Sequence, residues 1–350
     1  MTPVPDSPLL LAVDGNSLTH RAYHAAVPGQ PGDRGARAEV DDEGRPVWAL
    51  RGLVGFIARA AAKLRPDAVL VGFDCPHESV RKTDYPAYKA HRAEKPAELT
   101  SQLHSAPELL QATGLVSIVV TGHEADDVLA SAAAHARRAG WRSVLMTSDR
   151  DAFALVDAST SVLRVRNGGL DEAVLVTPSS LVDVYGVHPW QYRDYAALRG
   201  DPSDNLSGVR GFGSATAARL LRAFDTIDDA WAALDAGRAD LVRAAVGEAC
   251  ARNLASAQAR EAVARNRHLM RMRTDLPLPL LDAMRVPVDR LTMRRALAQR
   301  GIHLGPSLWA LTGGDPPPTE EDLLAVPQPW VWRRSPRASR LPGPGQLALF

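Results

Sequence analysis

The apolar positions of this chain fall into two alternating kinds of run. Short unbroken runs, Leu9-Leu-Leu-Ala-Val13, Ala68-Val-Leu-Val-Gly-Phe73, Val116-Ser-Ile-Val-Val120 and Ser143-Val-Leu-Met-Thr147, have the length of strands buried on both faces. Elsewhere the spacing is helical: Trp48, Leu50, Leu53, Val54, Ile57, Ala58 and Ala61 make one stripe, and Val128, Leu129, Ala132, Ala133 and Ala136 another. A polar, Gly-rich stretch from Pro28 to Pro46 reads as a loop, Thr160 to Val165 as a further strand, and Ser179 to Tyr185 as a helix. Strands alternating with helices predict an α/β fold, a doubly wound and mostly parallel sheet flanked by helices. In such a sheet the strand C-termini share one edge, where ligands bind.

The strong strands meet that edge with carboxylates. Asp14 closes the first run, with Gly15-Asn16 as its turn; Asp74 follows the second, and Asp149 and Asp151 follow the run from Ser143. The third leads into Gly122-His-Glu-Ala-Asp-Asp127, which opens a helix with Glu124, Asp126 and Asp127 in its first turn. A helix N-terminus accommodates one or two acids. Three within four residues repel one another unless a cation or a proton neutralises them. Turn chemistry explains a single Asp after a strand, but hardly the same device at one strand after another.

Two further segments bear on that edge. Val80-Arg-Lys-Thr-Asp-Tyr-Pro-Ala-Tyr-Lys-Ala-His-Arg92 interleaves cations with Tyr85 and Tyr88, a mixture suited to phosphates and stacked bases. Gly208-Val209-Arg210-Gly211-Phe212-Gly213 opens a helix, where backbone N–H groups can grip a phosphodiester without reading sequence, and Asp201 and Asp204 precede it. Between Arg243 and Arg300 twelve arginines stand against five carboxylates, either a basic face toward DNA or an ordinary solvated surface. From Gly313 onward the chain carries eight of its 26 prolines and reads as a tail or linker.

Composition narrows the class. With 350 residues, 45% of them hydrophobic, the chain can bury one large core or two ordinary ones. A net charge of +1 leaves any polyanion-binding argument to local distribution. Only four of the 41 basic residues are lysines, and three of those, Lys82, Lys89 and Lys95, share one fourteen-residue window, as if an ammonium were wanted there. Cys75 and Cys250 form no metal or disulfide pattern, the N-terminus lacks a signal-peptide pattern, and no run is long enough to span a membrane. A cytoplasmic protein without membrane attachment is expected.

Nine carboxylates in five blocks, without a compact His/Cys pattern, suit hard cations such as Mg²⁺ or Mn²⁺. Two such ions roughly 3.5 to 4 Å apart can drive phosphodiester hydrolysis. An alternative enzyme, the phosphatase with a strand-end Asp nucleophile and a second Asp two residues on, is disfavoured because Asn16 stands at that second position. A DNA-binding scaffold without metals would normally have lost acids, and none is missing.

In this order and spacing the residues resemble the structure-specific 5′ nucleases, and in particular the bacterial stand-alone relatives of the 5′-nuclease domain of DNA polymerase I. The resemblance runs from about Leu9 to about Leu311 through Val-Asp14-Gly-Asn, Phe-Asp74, Arg81, Tyr85-Pro-Ala-Tyr88-Lys89 with Arg92, Glu124-Ala-Asp126-Asp127, Ser148-Asp149-Arg-Asp151, Gly200-Asp201-Pro-Ser-Asp204-Asn and Gly208-Val-Arg-Gly-Phe-Gly213. It implies a PIN/resolvase-like nuclease core over residues 1–185, with a helical arch about 78–105. A helix–hairpin–helix DNA-binding region over 186–312 and a Pro-rich tail over 313–350 would follow. It implies that Asp14, Asp74, Glu124, Asp126, Asp127 and Asp149 lie at or near one metal and that Asp151, Asp201 and Asp204 hold a second. Lys89 and Arg92 would contact the scissile phosphate, with Arg81 and Tyr88 beside them. The hairpin at Gly208 to Gly213 would grip duplex DNA, with a bound K⁺ as an option.

The implied activity is cutting of 5′ flaps or 5′ ends, RNA-primed ones included, by a monomer acting in primer removal and repair. Because the chain ends without a polymerase domain, synthesis would fall to another protein. His123 and Arg210 stand where polymerase-linked members usually carry Tyr and Lys, and the loop around Gly29 to Glu43 looks longer; these departures touch flap preference more than catalysis. The final residues Gln346-Leu347-Ala-Leu349-Phe350 are similar to the peptide by which bacterial DNA-processing proteins dock on the sliding clamp, with Gln as polar anchor and Leu-Phe filling the pocket.

Overall fold

The computed structural model describes residues 7–25, 39–77, 79–166 and 169–317. The candidate clamp residues Gln346, Leu347, Leu349 and Phe350, and most of the expected tail and loop, lie outside them.

Six strands form one sheet in the order β3-β2-β1-β4-β5-β6. They are β1 (Leu9–Asp14), β2 (Ala68–Phe73), β3 (Val116–Val119), β4 (Arg142–Thr147), β5 (Thr160–Arg166) and β6 (Gly169–Val176). The first five are parallel and β6 returns antiparallel to β5. Every residue of β1 and β2 is buried, as the continuous apolar runs require.

One face of the sheet packs against α1 (Gly15–Ala25), α2 (Trp48–Leu64) and α4 (Ala97–Ala112). The other packs against α5 (Ala125–Arg138), and the same apolar cluster continues from Leu10 into the helical region as far as Met284. That region holds α6 (Pro178–Tyr185), α7 (Tyr192–Arg199), a two-stranded hairpin of β7 (Gly200–Asp201) and β8 (Leu206–Ser207), and α8 (Ser214–Phe224). After them come α9 (Ile227–Asp235), α10 (Ala239–Val246), α11 (Glu248–Leu254) and α12 (Ala257–Leu269). Finally α13 (Arg290–Ala298) and α14 (Trp309–Thr312) return to the α2 face. No helix among the described residues is long and apolar enough to cross a membrane.

Among the elements not read from the sequence, three shape the sheet and its edge. Gly15-Asn16, taken as a turn, opens α1 directly, because the Asp14 carboxylate accepts the Ser17 N–H at 2.8 Å and caps the helix start. The edge strand β6 and α4, which carries Pro107 inside it, were also missed. The stretch expected to arch over the edge consists of α3 (Val80–Asp84), turns through residue 92 and the first half of α4. It rests on the β7–β8 hairpin: the Lys89 N–H donates to the Asp204 carbonyl at 3.1 Å, and Asn205 Nδ2 to that of Ala87 at 2.8 Å.

The arginines after Arg243 are largely neutralised on the spot. Arg267 pairs with Asp194 at 2.6 Å and Asp228 at 3.0 Å, Arg260 with Asp235 at 2.6 Å, and Arg273 with Asp275 at 2.8 Å. Arg265, Arg271, Arg290, Arg294 and Arg295 make no ion pair among the described residues, so the segment carries charges of both signs with some cations left unpaired.

Candidate active site

Sheet register brings the acids together. Asp14 lies level with Gly72 of β2, and its neighbour Val13 with Met146 of β4, so Asp74 and Asp149 emerge two residues past Asp14 on either side. Thr147 Oγ1 donates to one Asp14 oxygen at 2.7 Å and the Ser17 N–H takes the other, which fixes the carboxylate. Asn16 clamps Asp74 from both ends: its Nδ2 donates to Oδ2 at 2.9 Å, and its Oδ1 accepts the Asp74 N–H at 3.0 Å. The remaining Asp74 oxygen accepts the Ala125 N–H at the start of α5, at 2.9 Å. Asp149 accepts the Asp151 N–H at 2.9 Å, and Asp201 accepts both the N–H and the hydroxyl of Ser203 at 2.7 Å.

Seven acids, Asp14, Asp74, Glu124, Asp126, Asp149, Asp151 and Asp201, line one cavity of about 630 Å³. A larger hollow of about 910 Å³ runs along the polar face of α4 and contains none of them. It is an open groove, so the chemistry belongs to the smaller cavity.

Crowding shows in the electrostatics. Burial, then Asp74 and Asp149, pushes the Asp14 carboxyl up to about 7. Burial raises Asp126 well above the usual carboxylate range, helped by Asp149 and Asp14; it does the same to Asp151, helped by Asp149, Asp201 and Asp204. Asp74 and Asp204 are raised as well, again chiefly by burial. The acids thus fall into two overlapping groups with Asp149 common to both.

A cation fits this donor set. Carboxylates that suppress one another's ionisation gain most from an added positive charge, and an oxygen-rich lining suits a hard ion. Among the described residues no three His, Cys, Asp or Glu side chains are drawn tightly enough to hold an ion by protein groups alone. Mg²⁺ does not require that: it keeps several waters and commonly takes one or two carboxylates together with substrate phosphates.

Two of the expected acids, Asp204 and Asp127, do not line the cavity, and Asp204 is held by Arg92 at 2.6 Å. The Asp127 carboxylate, 2% exposed as a residue, is engaged by its neighbours. Arg81 grips it with two bonds at 3.0 and 2.7 Å, the Arg273 N–H donates at 2.8 Å, and the Glu124 N–H completes a capping box at 3.2 Å. In this arrangement Asp127, expected at or near one metal, anchors the start of α5. Arg81 does not line the cavity; its guanidinium binds Asp127 and the Leu269 carbonyl at 2.8 Å and lies 3.4 Å from Glu124, which does.

Lys89 and Arg92 do line the cavity. Lys89 adopts a left-handed backbone with φ +55° and places Nζ 2.8 Å from Glu124. Burial would raise the Glu124 carboxyl, but Lys89 and Arg81 outweigh it and hold the group below its usual range. Arg92 donates to Asp204 at 2.6 Å.

Both tyrosines of this segment make contacts within the protein. Tyr88 is buried with its hydroxyl on Glu124 at 3.2 Å, and the Tyr85 ring is covered by the Arg265 guanidinium 5.2 Å away.

In the glycine turn before α8, Val209 and Phe212 are buried anchors, while Arg210, Gly211 and Gly213 are exposed. No side chain caps the N-terminus of α8, so its first N–H groups remain available. Any Cβ on Gly208 would come within 2.2 Å of the Arg199 backbone, which accounts for glycine there.

Sequence reasoning missed Asn16, His20, Lys95, Arg150, Arg164, Tyr192 and Arg199, all in the cavity lining. The lysine window was a usable signal for Lys95, and a charged residue inside the apolar run of β5 was one for Arg164.

A resolvase-like sheet with acids at its C-terminal edge, followed by a helical region, defines a class, and the chain belongs to the 5′-3′ exonuclease family. The family's N-terminal resolvase-like domain matches residues 9–186, and its C-terminal SAM fold matches residues 187–290. The chain is 36% identical over 285 residues to DNA polymerase I of Mycobacterium tuberculosis, which covers 81% of this chain and 29% of that protein. It is 33% identical over 346 residues to the thermostable DNA polymerase I of Thermus thermophilus, with 93% and 38% covered. It therefore spans well under half the length of these relatives. Among solved structures, the D15 flap endonuclease of bacteriophage T5, in complex with DNA and metal ions, aligns with a TM-score of 0.57 at 19% identity, over 91% of this chain and 98% of that one. The catalytic core of Rad2 in complex with DNA aligns at 0.52 and 16%, over 85% and 90%. At these identities the likeness is one of fold.

Proposed function

We propose that the protein hydrolyses DNA phosphodiesters at 5′ flaps and 5′ ends, as a structure-specific 5′-3′ exonuclease and flap endonuclease. The observation that carries this is the convergence of seven acids with Lys89 and Arg92 on one cavity at the sheet's C-terminal edge. Asp14, Asp74, Asp126 and Asp149 suit one divalent ion, Mg²⁺ or Mn²⁺, with Glu124 at its border. Asp149, Asp151, Asp201 and Asp204 suit a second. Bound there, the two ions supply the charge that activates water and stabilises the leaving oxygen.

The chain's own residues do the rest. Thr147, Ser17 and Asn16 fix the directions of Asp14 and Asp74. Lys89 and Arg92 set two cations against the scissile phosphate, where the charge developing in the transition state needs them. The free N–H groups at Gly213 and the start of α8 grip the duplex backbone, and the carbonyl oxygens of the glycine turn are where K⁺ is a further candidate. The organisation proposed is a nuclease core to residue 185, with an arch about 78–105, a duplex-binding region over 186–312 and a tail beyond.

The direct test is cleavage of a labelled 5′-flap duplex with Mg²⁺, against Asp149→Ala and an EDTA control. Cutting near the flap junction that both controls abolish is expected. Tight binding of the flap without any cutting by the native chain sinks the reading and leaves a DNA-binding scaffold. A monomer working on primers and repair flaps, docked on a sliding clamp through Gln346, Leu347, Leu349 and Phe350, is the context we propose. Deleting residues 346–350 should abolish clamp capture in a pull-down with purified proteins; undiminished capture refutes the docking.

A further inference from the structure

Three arginines in the cavity lining, Arg150, Arg164 and Arg199, have no part in the scheme above, and Arg199 lies over the Tyr195 ring at 5.1 Å. Arg164 rises from β5 in register with Thr147, so it flanks the Asp149 loop on the side away from β1. Its Nε is buried without a hydrogen-bond partner, and no carboxylate lies at ion-pair distance from it among the described residues. Arg150 sits in sequence between Asp149 and Asp151, lines the same cavity, and pairs with neither.

Elsewhere this chain neutralises such groups with care. Arg81, Arg92 and Arg267 each hold an aspartate, at 2.7, 2.6 and 2.6 Å. With 40 acidic residues to draw on, the chain leaves Arg164 facing cations and phenols instead. Burial, then Arg150, pushes its guanidinium below the ordinary arginine value, and Arg166 adds to the effect. A partly buried guanidinium kept without a counter-charge is costly, and an anion from outside is what satisfies it.

We propose that Arg164 and Arg150 form a second phosphate site, on the β5 side of the acids, which holds a backbone phosphate of the strand being cut. Lys89 and Arg92, held by Glu124 and Asp204, would meet the scissile phosphate itself, so the strand would be held at two points. The strand is assigned because the site opens into the same cavity as the acids. This inference rests on the nuclease reading for the identity of the strand.

The test is a binding experiment that requires no cutting. Flap duplexes carrying one uncharged methylphosphonate are scanned linkage by linkage, and affinity is read by fluorescence anisotropy in EDTA. We expect one linkage of the flapped strand, next to the cut, at which neutralisation weakens the native protein about tenfold but leaves Arg164→Gln unaffected. Arg164→Lys should recover most of the loss, and Arg260→Gln, outside the lining, should behave as native. Losses that simply add at every linkage overturn the site, and coupling confined to the template strand overturns the strand assignment. Thermal melting separates a folding defect, since removing an uncompensated guanidinium should not lower the melting temperature. A protein that shows the coupling but never cuts refutes the nuclease reading and keeps the phosphate site. One that cuts without coupling refutes the site alone.

Discussion

Asp126 and Asp127 are adjacent acids whose neutralisation should have opposite effects on stability. Asp127→Asn leaves the Arg81 guanidinium, whose side chain is 12% exposed, without its bidentate partner. Removing one member of a buried ion pair costs about 3–5 kcal/mol. Arg81 retains the Leu269 carbonyl at 2.8 Å and a more distant Glu124 oxygen at 3.4 Å, which favours the lower figure. At about 2 °C per kcal/mol for a chain of this size, the melting temperature in EDTA should fall by roughly 6 °C. Asp126→Asn instead removes a charge that burial, Asp149 and Asp14 all oppose, so at pH 8 in EDTA its melting temperature should rise. The assay is thermal unfolding followed by circular dichroism, paired with Mg²⁺-dependent flap cleavage well below the transition. Asp127→Asn should still cut there, and Asp126→Asn should not. An Asp127→Asn protein that melts like the native one and has lost all cleavage would show that Asp127 is a ligand and that its bonds to Arg81 are incidental.

Two further outcomes follow from the same electrostatics. The raised Asp14, Asp126 and Asp151 carboxyls hold protons in the folded state that the unfolded chain releases, so stability in EDTA should fall as pH rises from about 4 to about 7. Asp14 alone, lifted from 3.8 to about 7, accounts for on the order of 4 kcal/mol. Added Mg²⁺ should raise the melting temperature more at pH 7.5 than at pH 5, and stability in EDTA that climbs with pH across this window would contradict the assignment. Lys89→Ala should lower single-turnover cleavage at least a hundredfold while changing flap affinity only a few-fold, because its charge is wanted in the transition state; a loss confined to binding would refute that role.

The strands and their acids were legible because both follow from local rules. Continuous apolar runs mark strands buried on two faces, and a carboxylate just past each run must then emerge on one edge. What the sequence could not separate was which acid of a cluster faces inward. Asp126 and Asp127 differ by one residue, about 100° around a helix, so only one could turn to the cavity; the identity of the other's partner, Arg81, depends on a contact 46 residues away. The surroundings of Tyr85 and Tyr88 were hidden for the same reason, since a ring's accessibility is decided by what packs on it, here Arg265 and the pocket of Glu124. The helix α4 was obscured by Pro107, and α1 by a Gly-Asn pair that reads as a turn when Asp14 is not known to cap it.

The apolar cluster that runs unbroken from β1 into the helical region has one more consequence. Asn266, wholly buried, ties the Ala197 carbonyl of α7 to that of Ser207 just before the glycine turn, at 3.0 Å each. Among the described residues these contacts couple the turn to the sheet, so the span from the turn to the acids becomes a gauge. Where a duplex rests on one end of that gauge, the linkage at the other end is chosen by counting along the strand. Under the proposed function, the sequence of the DNA would then matter less than the point at which its second strand gives out.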